Sequence, residues 1–430
     1  MSASIPTPDA TRAERAAYGE PAPHAWARSG AMALTGHAGD APRVGPARLA
    51  SRADAIAAEL CVRSGLPVHA LDGAALLGER AAVARLSRRG RTSPGGGCRL
   101  CATARGDLAV SLARPDDVAL LPAWLEREVH GDPWPALARA LPERPASAWV
   151  ERGRLLGLAV AEAAPPAADP GPGVGVEAIG TPRARRVARP LVVDLSSLWA
   201  GPLCAQLLGM AGARVVKVES TGRPDGARRG APRLFDLLNG DKASVALDLG
   251  SAGGRDALRY LLDRADVVVE ASRPRALRQL GIEAEAILAE RPGLVWVAIT
   301  GHGRREPNGG WVGFGDDAAV AAGLAVAAGG PDAPIFCADA VADPLAGMHA
   351  ALETLRALES GGGVLLDVAL AAVARHALGP LGEEPRARVF ARDRAWWVAC
   401  EGARARVAAP RARRPARRAR PLGADTAAYA

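Results

Sequence analysis

One stretch constrains the fold of this chain more than any other, the alternation between residues 191 and 299. Four apolar runs recur there: Leu191-Val-Val-Asp-Leu195, Arg214-Val-Val-Lys-Val218, Asp266-Val-Val-Val-Glu270 and Leu294-Val-Trp-Val-Ala-Ile299. They lack polar alternation, which is the mark of strands buried on both faces. Stretches at 201–210, 253–264 and 283–291 lie between or beside them and read as helices, with Gly212 suited to cap the first. Strand, helix and strand at this spacing imply right-handed crossovers and a parallel sheet with helices on both sides. The expected fold is therefore α/β and Rossmann-like. The Gly-x-Gly-x-x-Gly fingerprint is absent after the first strand, where Ser196-Ser-Leu-Trp-Ala-Gly-Pro202 stands, so no dinucleotide is expected.

Around this unit the chain divides by composition. Residues 1–24 are polar and rich in Pro and Ala, and are expected to be loose. Residues 25–163 form a first globular unit. It holds a helix at 52–63, the glycine-rich Ser93-Pro-Gly-Gly-Gly-Cys98, a strand at 108–112, and helices at 118–129 and 152–163. A linker rich in Pro, Ala and Arg spans 164–190, the α/β unit runs over 191–378, and 379–430 is a short end segment. There is also an internal echo. Aligning Gly39-Asp-Ala-Pro42 with Pro331-Asp-Ala-Pro334 sets Ser51 opposite Asp343.

Charge and cysteine content exclude several classes. The net charge is +8, but nearly every basic residue is Arg, with Lys only at 217 and 242. The densest basic run, 404–420, has no interleaved aromatics and reads as a solvated tail, so no nucleic-acid partner is expected. No apolar run is long enough to span a bilayer, and the first residues lack a signal-peptide pattern, so a cytoplasmic protein without a membrane partner is expected. The six Cys are scattered, and Cys98-Arg-Leu-Cys101 has no second pair at zinc spacing; two free thiols and no metal are expected.

Asp343-Pro344 opens a helical pattern with Leu345, Met348, Leu352 and Leu355 on one face. Asp at the N-cap and Pro at the first helical position are both favoured there. Two roles fit Asp343: a cap, or a nucleophile kept ionised by the positive helix end.

Several blocks, in order, resemble the class III CoA-transferases, which include formyl-CoA and carnitine CoA-transferases, with α-methylacyl-CoA racemases as relatives. They are Val193-Asp-Leu-Ser-Ser-Leu-Trp-Ala-Gly-Pro202, Ala213-Arg-Val-Val-Lys-Val-Glu219 and Asn239-Gly-Asp-Lys-Ala-Ser-Val-Ala-Leu-Asp248. Then come Ala265-Asp-Val-Val-Val-Glu270 with Arg273-Pro274 and Leu280-Gly281, Ile299-Thr-Gly-His-Gly303, and Asp343-Pro-Leu-Ala-Gly-Met-His349. Together they run over about 189–378. The N-terminal unit resembles a degenerate, out-of-order copy that carries the glycine loop of the family's smaller domain, and 379–430 resembles an abbreviated remnant of that domain followed by the basic tail.

The resemblance implies an acyl-CoA:carboxylate CoA-transferase with Asp343 as nucleophile, passing through a mixed anhydride and an enzyme–CoA thioester. Coenzyme A or acyl-CoA is then a substrate, a carboxylic acid is the other, and no cofactor is permanently bound. CoA is expected along the carboxyl ends of the strands. Leu198, Trp199, Ala200, Arg223, Ala271, Ser272, Arg273, Leu280 and His302 are the candidate contacts, Arg223 for a phosphate. Gly95, Gly96 and Gly97 are a candidate lid whose N–H groups face an oxyanion. An interlocked homodimer is implied by the family alone. Two alternatives stay open. A racemase or lyase-like variant is disfavoured because Gly313-Phe-Gly-Asp316 places Phe314 where that branch carries a His. The other is a non-catalytic CoA-binding or assembly protein.

Overall fold

A computed structural model describes residues 20–183, 187–380 and 386–429. Most of the 1–24 segment lies outside the described residues; Ala22–Ser29 is helical. Strands β1 (Cys98–Ala102), β2 (Asp107–Ser111) and β3 (Ala159–Glu162) form an antiparallel sheet in the first half. The central sheet has seven strands: β4 (Gly175–Ala178), β5 (Leu191–Asp194), β6 (Arg214–Ser220), β7 (Ala243–Leu247), β8 (Val267–Glu270), β9 (Val295–Thr300) and β10 (Val364–Ala369). Their spatial order is β4-β10-β9-β8-β5-β6-β7. All neighbours are parallel except β4, which runs against β10. A third, antiparallel sheet follows: β11 (Ala387–Arg392), β12 (Ala395–Cys400) and β13 (Ala403–Arg406).

The apolar runs explain the layers. Along β5, β8 and β9, Val192, Val267, Val269, Val295 and Val297 enter one core, while Val193, Val268 and Trp296 enter the other. A period of two splits each strand between two faces, and helices cover both. From β5 the chain winds one way to β6 and β7, then returns to build β8, β9 and β10 on the other side. The loops after β5 and β8 therefore diverge at a topological switch point, where open α/β sheets form ligand crevices.

The helix Ala342–Glu359 packs against Ala200–Met210, the helix that follows β5. A Cβ on Gly347 would stand 2.7 Å from the Ala200 carbonyl and 3.1 Å from the Leu203 Cβ. Only glycine permits that approach, which draws Asp343 close to the loop after β5. The helix Arg48–Arg63, which carries Ser51, shares the same core. The first half is thus built onto the central sheet: Cys98, Leu100, Ala109 and Ala161 cluster with Val320, Ala325 and Phe336.

Four expectations change. The 118–129 stretch is two short helices, Pro115–Ala119 and Leu121–Leu125, broken where Pro122 enters the second. The 152–163 stretch is the end of the helix Ala146–Leu156, then Gly157 in a left-handed turn, then β3. Within 164–190, Gly175–Ala178 pairs with β10 as an edge strand. The 404–420 run is not a solvated tail. It lies as an ordered strap across the molecule: the Ala408 N–H donates to the Ala27 carbonyl, Arg411 pairs with Asp72, and the Ala419 N–H donates to Asp236 Oδ1 at 2.8 Å. Beyond it, Asp425 Oδ2 accepts the Ser244 N–H at 2.8 Å beside β7. Buried Glu79 takes Arg413, and the more exposed Asp72 and Asp425 take Arg411 and Arg420, so ion pairs fasten the strap at several points.

Candidate active site

The chain's two lysines are both buried, and both hold the loop after β5. Lys242 Nζ reaches Asp194 Oδ2 at 2.7 Å and the Pro202 carbonyl at 2.9 Å. Lys217 Nζ pairs with Asp225 Oδ2 at 2.9 Å and donates to the Ser196 carbonyl at 2.9 Å. Asp225 Oδ1 in turn accepts the Leu198 N–H at 3.0 Å. Burial raises the Asp194 carboxyl, but Lys242 and Lys217 outweigh it and hold it below the ordinary range. Burial draws Lys242 itself down to about 8. These pairs hold Leu198 in a left-handed conformation, φ 69°, and bury Trp199 just before the helix. The Trp199 indole Nε1 is buried with no partner among the described residues.

Asp343 differs from the expected cap. The helix starts at Ala342 behind Val341, so Asp343 is its second residue. Its N–H donates to the Ala340 carbonyl at 3.0 Å. Ala338 and Ala340 are both left-handed, φ 54° and 43°, so the turn tightens and the helix begins early. The Asp343 carboxylate accepts the Gly315 N–H of a neighbouring helix, Gly315–Ala321. A Cβ on Gly315 would collide with Asp343 Oδ2. The helix end does not keep this carboxyl in the ordinary acid range. Burial pushes it up to about 7, Asp316 and Asp339 push the same way, and Arg80 opposes them.

Three more acids crowd round. Asp316 accepts the Ala340 N–H at 2.8 Å and a Ser93 hydroxyl bond, and burial, then Asp339, raises it to about 6. Asp317 accepts the Phe314 N–H at 3.0 Å and is raised by burial to about 8; its Oδ2 is buried without a partner among the described residues. Asp339 is fully buried and takes a two-pronged contact from Arg80, Nε at 2.9 Å and Nη2 at 2.5 Å. Arg80 comes from the short helix Glu79–Ala84 in the N-terminal half, and its guanidinium lies 5.5 Å from the centre of the Trp199 ring. The glycine turn meets it there. Arg80 Nη2 is 3.1 Å from where a Cβ on Gly95 would stand, and the Gly95 N–H is given to Asp339. Gly96 closes the turn onto the Ser93 carbonyl, and the Gly97 carbonyl accepts the Leu112 N–H, so this turn is the mouth of a hairpin laid over the acids.

The remaining predicted residues separate into groups. Leu198 is exposed and Ala200 opens the helix beside Asp343. Arg223 follows β6, and Arg273 caps the short helix Pro274–Gln279 after β8. Burial, then Arg275, Arg114 and Arg223, draws Arg273 below its ordinary value, which places four guanidiniums near one another. Arg223, Arg273 and Arg275 have no carboxylate partner among the described residues, whereas Arg114, in the N-terminal half, pairs with Asp117 and donates to the Gly157 carbonyl at 3.0 Å. Ala271 lies in the same loop, partly buried. The Ser272 hydroxyl is spent on Glu270 Oε2 at 3.0 Å. Leu280 packs instead against the core with Leu258 and Leu277. His302 lies edge-on to Trp311 at 5.8 Å, and burial lowers it to about 4. Cys98 and Cys101 are free thiols. Arg80, Arg114, Arg275, Asp316, Asp317 and Asp339 escape sequence reading. Asp316-Asp317 beside Gly315 offers a local signal, whereas Arg80 is one arginine among many.

Comparisons with known proteins match the part of the chain that holds the α/β sheet and its switch-point loops. Residues 190–392 match the family described as CoA-transferase family III, close to the 189–378 over which the ordered motifs run. A succinyl-CoA–D-citramalate CoA-transferase of Chloroflexus aurantiacus is 33% identical over 202 residues, 43% of this chain and 50% of that protein. A formyl-CoA:oxalate CoA-transferase of Escherichia coli is 32% identical over 175 residues, 39% of this chain and 42% of that protein. The chain spans about half the length of the curated relatives it matches. A solved CaiB/BaiF family protein from Brucella suis superposes with a TM-score of 0.42 at 24% identity, covering 50% of this chain and 66% of that one.

Proposed function

We propose that this chain is an acyl-CoA:carboxylate CoA-transferase with Asp343 as nucleophile. The observation that carries the reading is the placement of Asp343. It is a partly exposed carboxylate at the switch point, oriented by Gly315 N–H, with Arg80 as its facing cation. A group titrating near 7 supplies both ionised nucleophile and good leaving group at neutral pH.

In this reading Asp343 attacks the thioester carbonyl, the C–S bond breaks, and CoA leaves as thiolate. A mixed anhydride remains. The thiolate then attacks the aspartyl carbonyl, releasing the donor acid and leaving an aspartyl–CoA thioester. The acceptor carboxylate attacks that thioester, and CoA thiolate takes up the new acyl group from the second anhydride. Each step exchanges one acyl bond for another, and Asp343 is regenerated. The unpaired Arg223, Arg273 and Arg275, with Arg114, suit the phosphates of CoA. Leu198 and Trp199 suit a wall for its pantetheine arm. The Gly95–Gly96 turn suits a cover over the reacting carbonyl.

The test is trapping. The protein is incubated with a panel of acyl-CoA thioesters and hydroxylamine, then digested for mass spectrometry. A hydroxamate at Asp343 supports the reading. No modification at Asp343 across the panel contradicts it, and loss of α-deuterium from a 2-methylacyl-CoA in its place would favour racemisation.

A further inference from the structure

We propose that the outer face of the β11–β13 sheet binds single-stranded nucleic acid, stacking bases on Phe390 and Trp397 and holding phosphates with Arg388, Arg404 and Arg406. The strand registers define that face. Phe390 pairs with Trp397, and Trp397 with Arg406 on its other side, so the three make one row. Arg388, Ala399 and Arg404 make the row on one flank of it, and Arg392 stands on the other flank, opposite Ala395. Residues paired across strands share a face, and a period of two sends their chain neighbours to the other side. Those neighbours, Val389, Val398 and Ala405, join the main core, with Val398 fully buried. The sheet is thus anchored on one side and open on the other, where Arg388, Arg392, Arg404 and Arg406 are exposed and Phe390 and Trp397 are half-buried.

The chemistry of the face selects its ligand. Between Ala387 and Arg406 there are five arginines, at 388, 392, 394, 404 and 406, and two acids, Asp393 and Glu401, both in the turns. Arg392 pairs with Asp393 at 3.2 Å, whereas Arg388, Arg404 and Arg406 have no carboxylate partner among the described residues. The guanidiniums of Arg388 and Arg404 lie 5.5 and 5.9 Å from the centre of the Phe390 ring. Planar cations beside an accessible aromatic ring suit an anion that carries flat rings of its own. Arginine holds phosphate by its planar fork, and an aromatic side chain stacks on any base. A single strand offers both groups at once, while a duplex keeps its bases stacked inside, out of reach of Phe390. The sequence hides this arrangement, because the 404–420 run contains no aromatics; β11 and β12 bring them beside it only in the folded sheet.

The test uses the intact protein with fluorescein-labelled oligo-dT and oligo-U, read by anisotropy. We expect binding of both that falls about 20- to 50-fold as salt rises from about 50 to about 200 mM, the loss that three or four arginine–phosphate contacts to a single strand require. Annealing the oligo-dT to oligo-dA should weaken it at least fivefold. Arg404→Glu/Arg406→Glu should weaken binding at least tenfold and Phe390→Leu at least fivefold, each in protein with the wild-type circular dichroism. Ultraviolet cross-linking of the wild-type protein, followed by peptide mass spectrometry, should place the adduct between residues 387 and 406, a readout that needs no variant. Absence of binding at the lower salt, a duplex bound equally well, or a Phe390→Leu protein that binds as the wild type does overturns the proposal. So does a cross-link elsewhere, including one beside Arg273, which would put the oligonucleotide on the guanidiniums of the switch-point loops. Two further outcomes overturn it: anionic phosphatidylglycerol vesicles bind through Arg404 and Arg406 while oligonucleotides do not, or Arg404→Glu/Arg406→Glu converts a dimer to a monomer, which would make the face a contact between copies.

Discussion

The fold holds the Asp343 carboxyl away from its ordinary titration range. This group titrates near 7 in the folded chain against an ordinary value of 3.8, chiefly through burial. The folded state therefore binds the proton more tightly than the unfolded state. That contribution to stability is full below about 4 and is lost as pH rises through 7. Asp343→Asn removes an ionisation that the fold disfavours and keeps an acceptor for the Gly315 N–H. Its melting temperature at pH 8 should rise by about 1–3 °C relative to wild type, with a smaller difference at pH 5. The rate of Asp343 acylation in a single turnover should climb with pH and level off above about 8, because the carboxylate is the attacking form. A flat profile between pH 5 and 8 would contradict the assignment. Asp343-Pro344 and the ordered blocks before it single out Asp343 in the sequence as a candidate. Its protonation was not legible there, since Asp316 lies 27 positions away and Arg80 comes from the other half of the chain.

Elements explain how such a site is held. The strands β5, β6, β8 and β9 were legible because apolar runs buried on both faces leave a pattern that tertiary context does not override. The helix start at Asp343 was misplaced by two residues, because left-handed Ala338 and Ala340 have no sequence signature. Two devices carry testable weight. Lys242→Met leaves Asp194 buried and unpaired, and should lower unfolding free energy by about 3–5 kcal/mol in a urea titration. The strap acts through Arg413, whose Nε and Nη2 each sit 2.8 Å from buried Glu79, the residue before Arg80. Arg413→Gln should therefore lower kcat more than it raises the KM for acyl-CoA and should shift the pH profile of acylation, with Arg413→Lys restoring part of the rate. Loss of stability with an unmoved pH profile would make Arg413 structural only.

At the scale of the molecule, the site exists because two halves of the chain meet. The acid and the switch-point loops come from 191–378, while Arg80, Ser93, the glycine turn and Arg114 come from the N-terminal half. Composition pointed to separate units, but the helices Arg48–Arg63 and Ala342–Glu359 share one core, and the strap from 404 onward ties the N-terminal helices to β7. Such long-range packing leaves no local pattern, which is why the partners of Asp343 were missed. One consequence is cooperativity. Fluorescence of the tryptophans, which include the buried Trp124 and Trp149 of the N-terminal half, and far-ultraviolet circular dichroism should report a single coincident urea transition. Separated transitions would mean that the halves fold independently. The most direct test of the account remains the chemistry of one carboxylate. With an acyl-CoA donor and hydroxylamine, peptide mass spectrometry should find the hydroxamate on Asp343, and Asp343→Asn should abolish it. A hydroxamate on another residue, or none across the donor panel, would contradict the account.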